Sequence, residues 1–258
     1  MSFRPGRGCE GMLLSGKNAI IYGAGSIGGA IARAYAAEGA RVFLAGRTRA
    51  TLAAVAGPIG AEIAEVDALD ERAVDEHADA VAATAGGIDI SVNVIADHDV
   101  QGTPMTDMAP DDYLSPVVTN VRSKFLTARA AARHMKPRGS GVILTFGGSG
   151  DRTASGRFRL GGLQTAFEAV EAMRRQLATE LGPYGIRVIT LRTGGIPEAV
   201  PARYKGRAEI AARLAADTAL GRAATLADVG RVAVFAASDH ARSITGAALN
   251  MTCGAVLD

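Results

Sequence analysis

Cysteine is nearly missing from this chain: among 258 residues only Cys9 and Cys253 carry a thiol, near opposite ends and without metal-ligand spacing. That excludes a disulfide framework and a cysteine-based metal centre, so no metal is expected and both read as reduced thiols of a cytoplasmic protein. Long apolar runs are missing too, and none reaches the roughly 20 residues that a membrane-spanning helix needs, so no membrane partner is expected. The opening residues, MSFRPGRGCEG, lack the apolar stretch of a signal peptide, and residues 1–11 are expected to form a loose extension before Met12. Charge of one sign is scarce: 28 Lys and Arg against 26 Asp and Glu leave a formal net charge of +2, with the basic residues scattered. That balance excludes an electrostatic footprint for nucleic acid or an anionic membrane. There is no internal repeat and no low-complexity segment beyond an excess of alanine.

What is present is an ordinary globular balance, 48% hydrophobic and 21% charged, in a chain long enough to bury a sizeable core. Its organising stretch is Ala19–Glu38, AIIYGAGSIGGAIARAYAAE. An apolar run over Ala19–Tyr22 stops at a glycine turn, and apolar residues then recur at helical spacing at Ile27, Ile31, Ala34 and Tyr35, which predicts strand, turn and helix. In a GxGxxG turn each glycine has a separate task. Gly23 makes the tight turn, Gly25 lets the backbone approach a pyrophosphate, and Gly28 lets the helix pack closely on the strand. Gly23, Gly25, Ser26, Ile27 and Gly28 are therefore candidate cofactor-binding residues, with the helix N-terminus offering unpaired N–H groups to phosphates. The competing reading is a tight turn that binds nothing. A second strand, Ala40–Ala45, follows at once and favours binding.

Arg47 and Thr48 come next, and Arg47 falls about twenty residues beyond the last motif glycine, where the adenosine ribose is read. An acidic residue there would favour NAD, whereas an arginine offers a cationic fork to a 2′-phosphate, so NADP(H) is the expected cofactor. The alternative is that Arg47 and Arg49 only solvate the start of a helix over Ala50–Ala56.

Further along, Glu62–Val66 reads as a strand ending at Asp67, Glu71–Thr84 as an amphipathic helix and Ile88–Val94 as a buried strand. Asp111–Lys136 reads as a long helix carrying Asn120 and interrupted early by Pro116. Then come a strand at Val142–Phe146, a helix at Gly162–Leu181, a strand at Arg187–Leu191, a helix at Asp228–Ala237 and a strand at Ala247–Met251. The excursion Thr193–Gly221 has the length of a substrate lid. Regular alternation without a composition break predicts one α/β domain over residues 12–258, a doubly wound parallel sheet between two helical layers.

From Ser15 onward the chain resembles the short-chain dehydrogenase/reductase family. The resemblance rests on the glycine turn, Asp67, Asn120, LATELGPYGIRV and the ending GRAATLADVGRVAVFAASDHARSITGAALN. It implies a seven-stranded Rossmann-type sheet, a nicotinamide cofactor, a small-molecule substrate, and a homotetramer or homodimer assembled through two long helices. It also implies that Asp67 and Asn93 contact the cofactor and that Asn120 belongs to the catalytic set.

Departures accompany the matches. Tyr22 stands for the family's Thr before a turn one residue shorter, and the family's NNAG stretch appears as Asn93-Val94-Ile95-Ala96. The family's catalytic Ser, Tyr and Lys align with Gly148, Leu163 and Phe167, and no Tyr or Lys occurs between Lys136 and Tyr184 to replace them. A positioned general acid contributes about a hundred- to ten-thousand-fold in rate, and Leu163 and Phe167 carry neither a titrating proton nor a cation. Substitute proton donors are expected just past strand ends, at His98 and at Ser149 or Asp151, with Tyr204 on the excursion a further candidate. Arg152, Arg157 and Arg159 could meet an acidic substrate or form a solvated face.

Two functions stay open at this point. One is an NADP(H)-dependent oxidoreductase with a rebuilt active site, acting on a small carbonyl, alcohol or activated alkene. The other is a catalytically inactive NADP(H)-binding sensor or oligomer partner. A rebuilt site needs a titrating group near the nicotinamide, while an abandoned one fills that space with Leu163 and Phe167.

Overall fold

The computed structural model describes residues 12–95, 99–148, 158–201 and 204–257. The described elements run β1 (Asn18–Tyr22), α1 (Ser26–Ala37), β2 (Arg41–Gly46), α2 (Arg49–Ala56), β3 (Glu62–Glu65), α3 (Glu71–Ala85) and β4 (Ile90–Asn93). They continue with α4 (Pro110–Met135), β5 (Gly141–Gly148), α5 (Gly162–Leu181), β6 (Ile186–Thr193), α6 (Arg207–Ala216), α7 (Leu226–Ala237) and β7 (Ala247–Asn250). All seven strands pair in parallel in the order β3-β2-β1-β4-β5-β6-β7. The chain winds outward from β1 through β2 to β3 and returns to place β4 on the other side of β1. This order makes the carboxyl ends of β1 and β4 the switch point where a crevice opens.

Each inner strand is largely buried on both faces, which is why most of its residues are apolar. Ile21, Leu44, Val92, Leu144 and Leu191 face one core with Ile31 and Tyr35 of α1 and Val229 and Ala233 of α7. Ile20, Phe43, Ile143 and Val188 face the other with Val74 and Val81 of α3 and Leu126 and Ala130 of α4. Helix starts follow local chemistry: Asp70 caps α3 by accepting from the Arg72 and Ala73 N–H groups, and Thr225 with Asp228 forms a capping box on α7.

The expected interruption at Pro116 does not occur; α4 runs unbroken from Pro110 to Met135. Pro116 lies early in the helix, and the bond it forgoes would have gone to the carbonyl of Asp112, an exposed residue that water can satisfy. Helices α4 and α5 meet closely at their starts, where a Cβ on Gly162 would lie 1.8 Å from the Tyr113 carbonyl oxygen. Tyr113 Oη and Thr165 Oγ1 share a hydrogen bond of 2.8 Å beside that contact.

Candidate functional site

The glycine turn folds as its spacing predicts. Gly23 sits at φ +102, a region that L side chains rarely adopt, and its backbone tucks against Val94 and Ile95 at the end of β4. A Cβ on Gly28 would lie 1.8 Å from the Gly23 carbonyl oxygen, so only glycine permits this helix-to-turn approach. Gly25 is the opposite case, since a Cβ there would meet no atom within 4 Å and faces open space. No side chain caps α1, and Ser26 and Ile27 present the first N–H groups of the helix above the turn. Ile27 itself packs on the core, while Ser26 is exposed.

A cavity of about 300 Å³ opens beside this turn. Its walls are Gly23, Ala24 and Gly25, then Gly46, Arg47, Thr48, Thr51 and Leu52 after β2, Val66 to Leu69 after β3, Val94 and Ile95 after β4, and Thr119 of α4. Thr48 precedes α2 without bonding its N–H groups, so a second uncapped helix start meets the same cavity. Arg47 is exposed on the wall and, among the described residues, has no ion pair or side-chain hydrogen bond. Its neighbour Arg49 lies 3.7 Å from Glu65 instead. Asp67 also lines the cavity, with Oδ1 accepting from the Leu69 N–H at 3.0 Å. Tyr22 turns away from this space: its ring is buried and its hydroxyl lies 3.4 Å from His77 Nδ1 on α3. Burial lowers the His77 pKa to about 4.

Asn93 is buried and its amide is spent on the fold, donating to Thr127 Oγ1 at 3.1 Å and accepting from the Ile95 N–H at 3.0 Å. It fixes the end of β4 against α4 and is not a wall of the cavity. Asn120 is buried as well; its Nδ2 donates to the Pro116 carbonyl at 2.9 Å and its Oδ1 accepts from Lys124 Nζ at 2.8 Å. Lys124 is 1% exposed, and burial pulls its pKa down to about 8. The sequence reading passed over this lysine, although it falls on the helix face of Asn120, Thr127, Ala128 and Ala131, where a charge breaks the buried stripe.

At the end of β5 the ring of Phe167 covers Gly148: a Cβ on Gly148 would lie 2.3 Å from Phe167 Cε2. Positions 148 and 167 are therefore sterically coupled, because a larger residue at 148 meets this ring unless the ring shifts. Leu163 stands half-buried in the first turn of α5. His98, Ser149, Asp151, Arg152 and Arg157 lie outside the described residues. Arg159 donates to the Gly102 carbonyl at 3.2 Å, and Tyr204 is exposed.

A family model described as enoyl-(acyl carrier protein) reductase matches residues 23–255. The chain belongs to the short-chain dehydrogenase/reductase family. It is 31% identical over 245 residues to galactitol 2-dehydrogenase (L-tagatose-forming) of Cereibacter sphaeroides, covering 93% of this chain and 95% of that one. It is 33% identical over 260 residues to L-rhamnose 1-dehydrogenase (NAD(P)(+)) of Azotobacter vinelandii, covering 92% and 96%. Its fold superposes on a short-chain type dehydrogenase/reductase from Mycobacterium marinum with a TM-score of 0.82 at 28% identity, over 96% of this chain and 98% of that one. Short-chain dehydrogenases/reductases are oxidoreductases that bind nicotinamide cofactors, and the turn, the open face of Gly25 and the uncapped α1 fit such a dinucleotide. Among the described residues, no helix is long and apolar enough to cross a membrane.

Proposed function

We propose that this short-chain dehydrogenase/reductase is a cytoplasmic NADP(H)-dependent oxidoreductase acting on a small carbonyl, alcohol or activated alkene through a non-standard active site. The observation that carries the cofactor choice is Arg47, which lines the cavity with no ion pair while Arg49 faces Glu65. A free guanidinium beside an uncapped helix start is suited to a phosphate on the adenosine ribose. In this reading the N–H groups above Gly23 and Gly25, through Ser26 and Ile27, hold the pyrophosphate, Arg47 and Thr48 hold the 2′-phosphate, and Asp67 meets the adenine. When bound, the cofactor supplies or accepts the hydride. The chain is read as one dinucleotide-binding domain over 12–258, with residues 193–221 as a lid. Assembly as a homodimer or homotetramer through α4 and α5 is supported by Leu114, Val118 and Phe125, which are exposed along α4.

A second reading, a non-catalytic NADP(H)-binding protein, is favoured by the Phe167 ring lying over Gly148. Parallel titration with NADPH and NADH tests the cofactor. NADPH is expected to bind more tightly, and Arg47→Ala is expected to weaken it by about tenfold to a hundredfold while sparing NADH. Equal affinity for the two cofactors overturns the 2′-phosphate reading. Turnover of the loaded protein with polyols and aldoses, the substrate types named for its relatives, then separates the enzyme from the binder.

A further inference from the structure

After β6 the chain buries Ile196 and then fully buries no described residue until Ala224. Helix α6 lies inside this stretch without a buried residue of its own. Surface contacts hold the excursion between its ends. The Arg213 guanidinium stands 5.7 Å from the centre of the Phe158 ring, and Glu198 Oε2 accepts from the Leu226 N–H at 2.6 Å. A segment with so little apolar burial opens at a small fraction of the cost of unfolding the domain.

Both ends of that excursion rest on one turn. Strands β6 and β7 are parallel neighbours with Arg192 paired to Asn250, so the residues after β7 lie beside those after β6. A Cβ on Gly194, the first residue past β6, would lie 3.3 Å from Ala255 Cβ and 3.4 Å from Thr252 Cβ. At the other end, the Ala219 and Leu220 N–H groups donate to the carbonyls of Gly254 at 3.3 Å and Cys253 at 3.1 Å. Those carbonyls belong to consecutive left-handed residues, Cys253 at φ +58 and Gly254 at φ +82, and a Cβ on Gly254 would lie 2.6 Å from Ala219 Cβ. An L residue such as Cys253 keeps that conformation only where its surroundings fix it. Here they do: Thr252 is buried, its N–H donates to Asn250 Oδ1, and its Oγ1 accepts from the Val256 N–H. The Met251 N–H ties the turn to the sheet by donating to the Arg192 carbonyl at 2.9 Å.

We propose that the turn over residues 252–255 is a clasp that holds both ends of the excursion, at Gly194 and at Ala219 and Leu220, so that the segment between them swings as a hinged flap while the sheet stays closed. This rests on the reading of residues 193–221 as a lid, and it adds where the lid is hinged and which residues set its stiffness. The clasp stands at the carboxyl ends of β6 and β7, the side of such sheets on which ligands lie, so the flap opens and closes over that side. Opening breaks the Arg213–Phe158 and Glu198–Leu226 contacts and leaves the bonds from Ala219 and Leu220 in place.

Limited trypsin digestion reads the open state, because cleavage follows the population of the opened form when opening and closing are fast. Lys205, Arg207 and Arg213 lie in the flap, and mass spectrometry follows cleavage at each. Gly254→Ala sets a Cβ against Ala219 and should speed cleavage at these sites about tenfold. Gly60→Ala imposes a similar backbone strain, at φ +65, in open space between α2 and β3, and should leave flap cleavage at the wild-type rate. Unchanged flap cleavage in Gly254→Ala, or an equal rise in Gly60→Ala, overturns the proposal. If Gly254→Ala does not fold, amide exchange in the wild type decides: the amides of Ala219 and Leu220, both exposed residues, should exchange more slowly than those of α6, and faster exchange overturns the clasp. Saturating NADP⁺ should slow cleavage of the wild-type flap. A flap that NADP⁺ leaves unchanged while Gly254→Ala still speeds its cleavage supports the clasp and overturns the lid reading.

Discussion

The glycine turn and the end of β5 are built on different principles. At the glycine turn, the backbone does the work: an open glycine, two uncapped helix starts and one arginine unpaired among the described residues leave donors free for a ligand. At the end of β5 a side chain fills the space, with Phe167 over Gly148, while within α4 Asn120 is bonded to Lys124. The first arrangement tolerates little change because it depends on atoms that are absent. In the second, Gly148 and Phe167 touch, so a change at one is expected to be felt at the other.

The largest effect is expected where the backbone leaves no room. Gly28→Ala places a Cβ against the Gly23 carbonyl, which cannot swing aside, and should cost on the order of 3 kcal/mol or more in urea unfolding, together with cofactor binding. A variant of native stability would show that the turn gives way and would erase the contrast between the two regions.

A smaller effect should expose the coupling at the packed end. Gly148→Ser should cost about 1–3 kcal/mol in the wild type and much less in a Phe167→Ala background, where the ring no longer occupies the space. The same cost in both backgrounds would mean that the ring does not limit the residue at 148.

Behind the glycine turn, His77 titrates near pH 4 when folded, against an ordinary value of 6.5. Between those values the unfolded chain binds more protons, so stability should rise with pH across this window and be lost as pH falls through it. His77→Gln should flatten that part of the stability profile, and an unchanged slope would place the imidazole in water. The smallest effect belongs to Arg49→Ala, which removes an exposed pair and should change NADPH affinity by no more than about twofold. A large loss there would make Arg49, and not Arg47 alone, the phosphate ligand.

Much of the fold was legible in one dimension, for reasons that are local. The strand-turn-helix of Ala19–Glu38 and the span of α5 depend on apolar period and on glycine and proline stops, which sequence displays directly. The break expected at Pro116 was misread because proline in an early turn removes only one bond, at a carbonyl that water reaches. The site was legible where it is backbone. Gly23, Gly25 and Gly28 act through conformation and missing Cβ atoms, and these follow from residue type.

What the sequence determined by itself is the element order, the buried parallel sheet and the position of the glycine turn. Only the tertiary structure decided which arginine stays free, because Arg47 and Arg49 differ through Glu65 on another strand. It likewise decided that Gly148 and Phe167 form one steric unit, and that Lys124 is buried beside Asn120 rather than solvated. Local propensity acts on neighbours along the chain. Burial, pairing and exclusion act on neighbours in space, and those neighbours exist only once the sheet has brought distant strands and helices together.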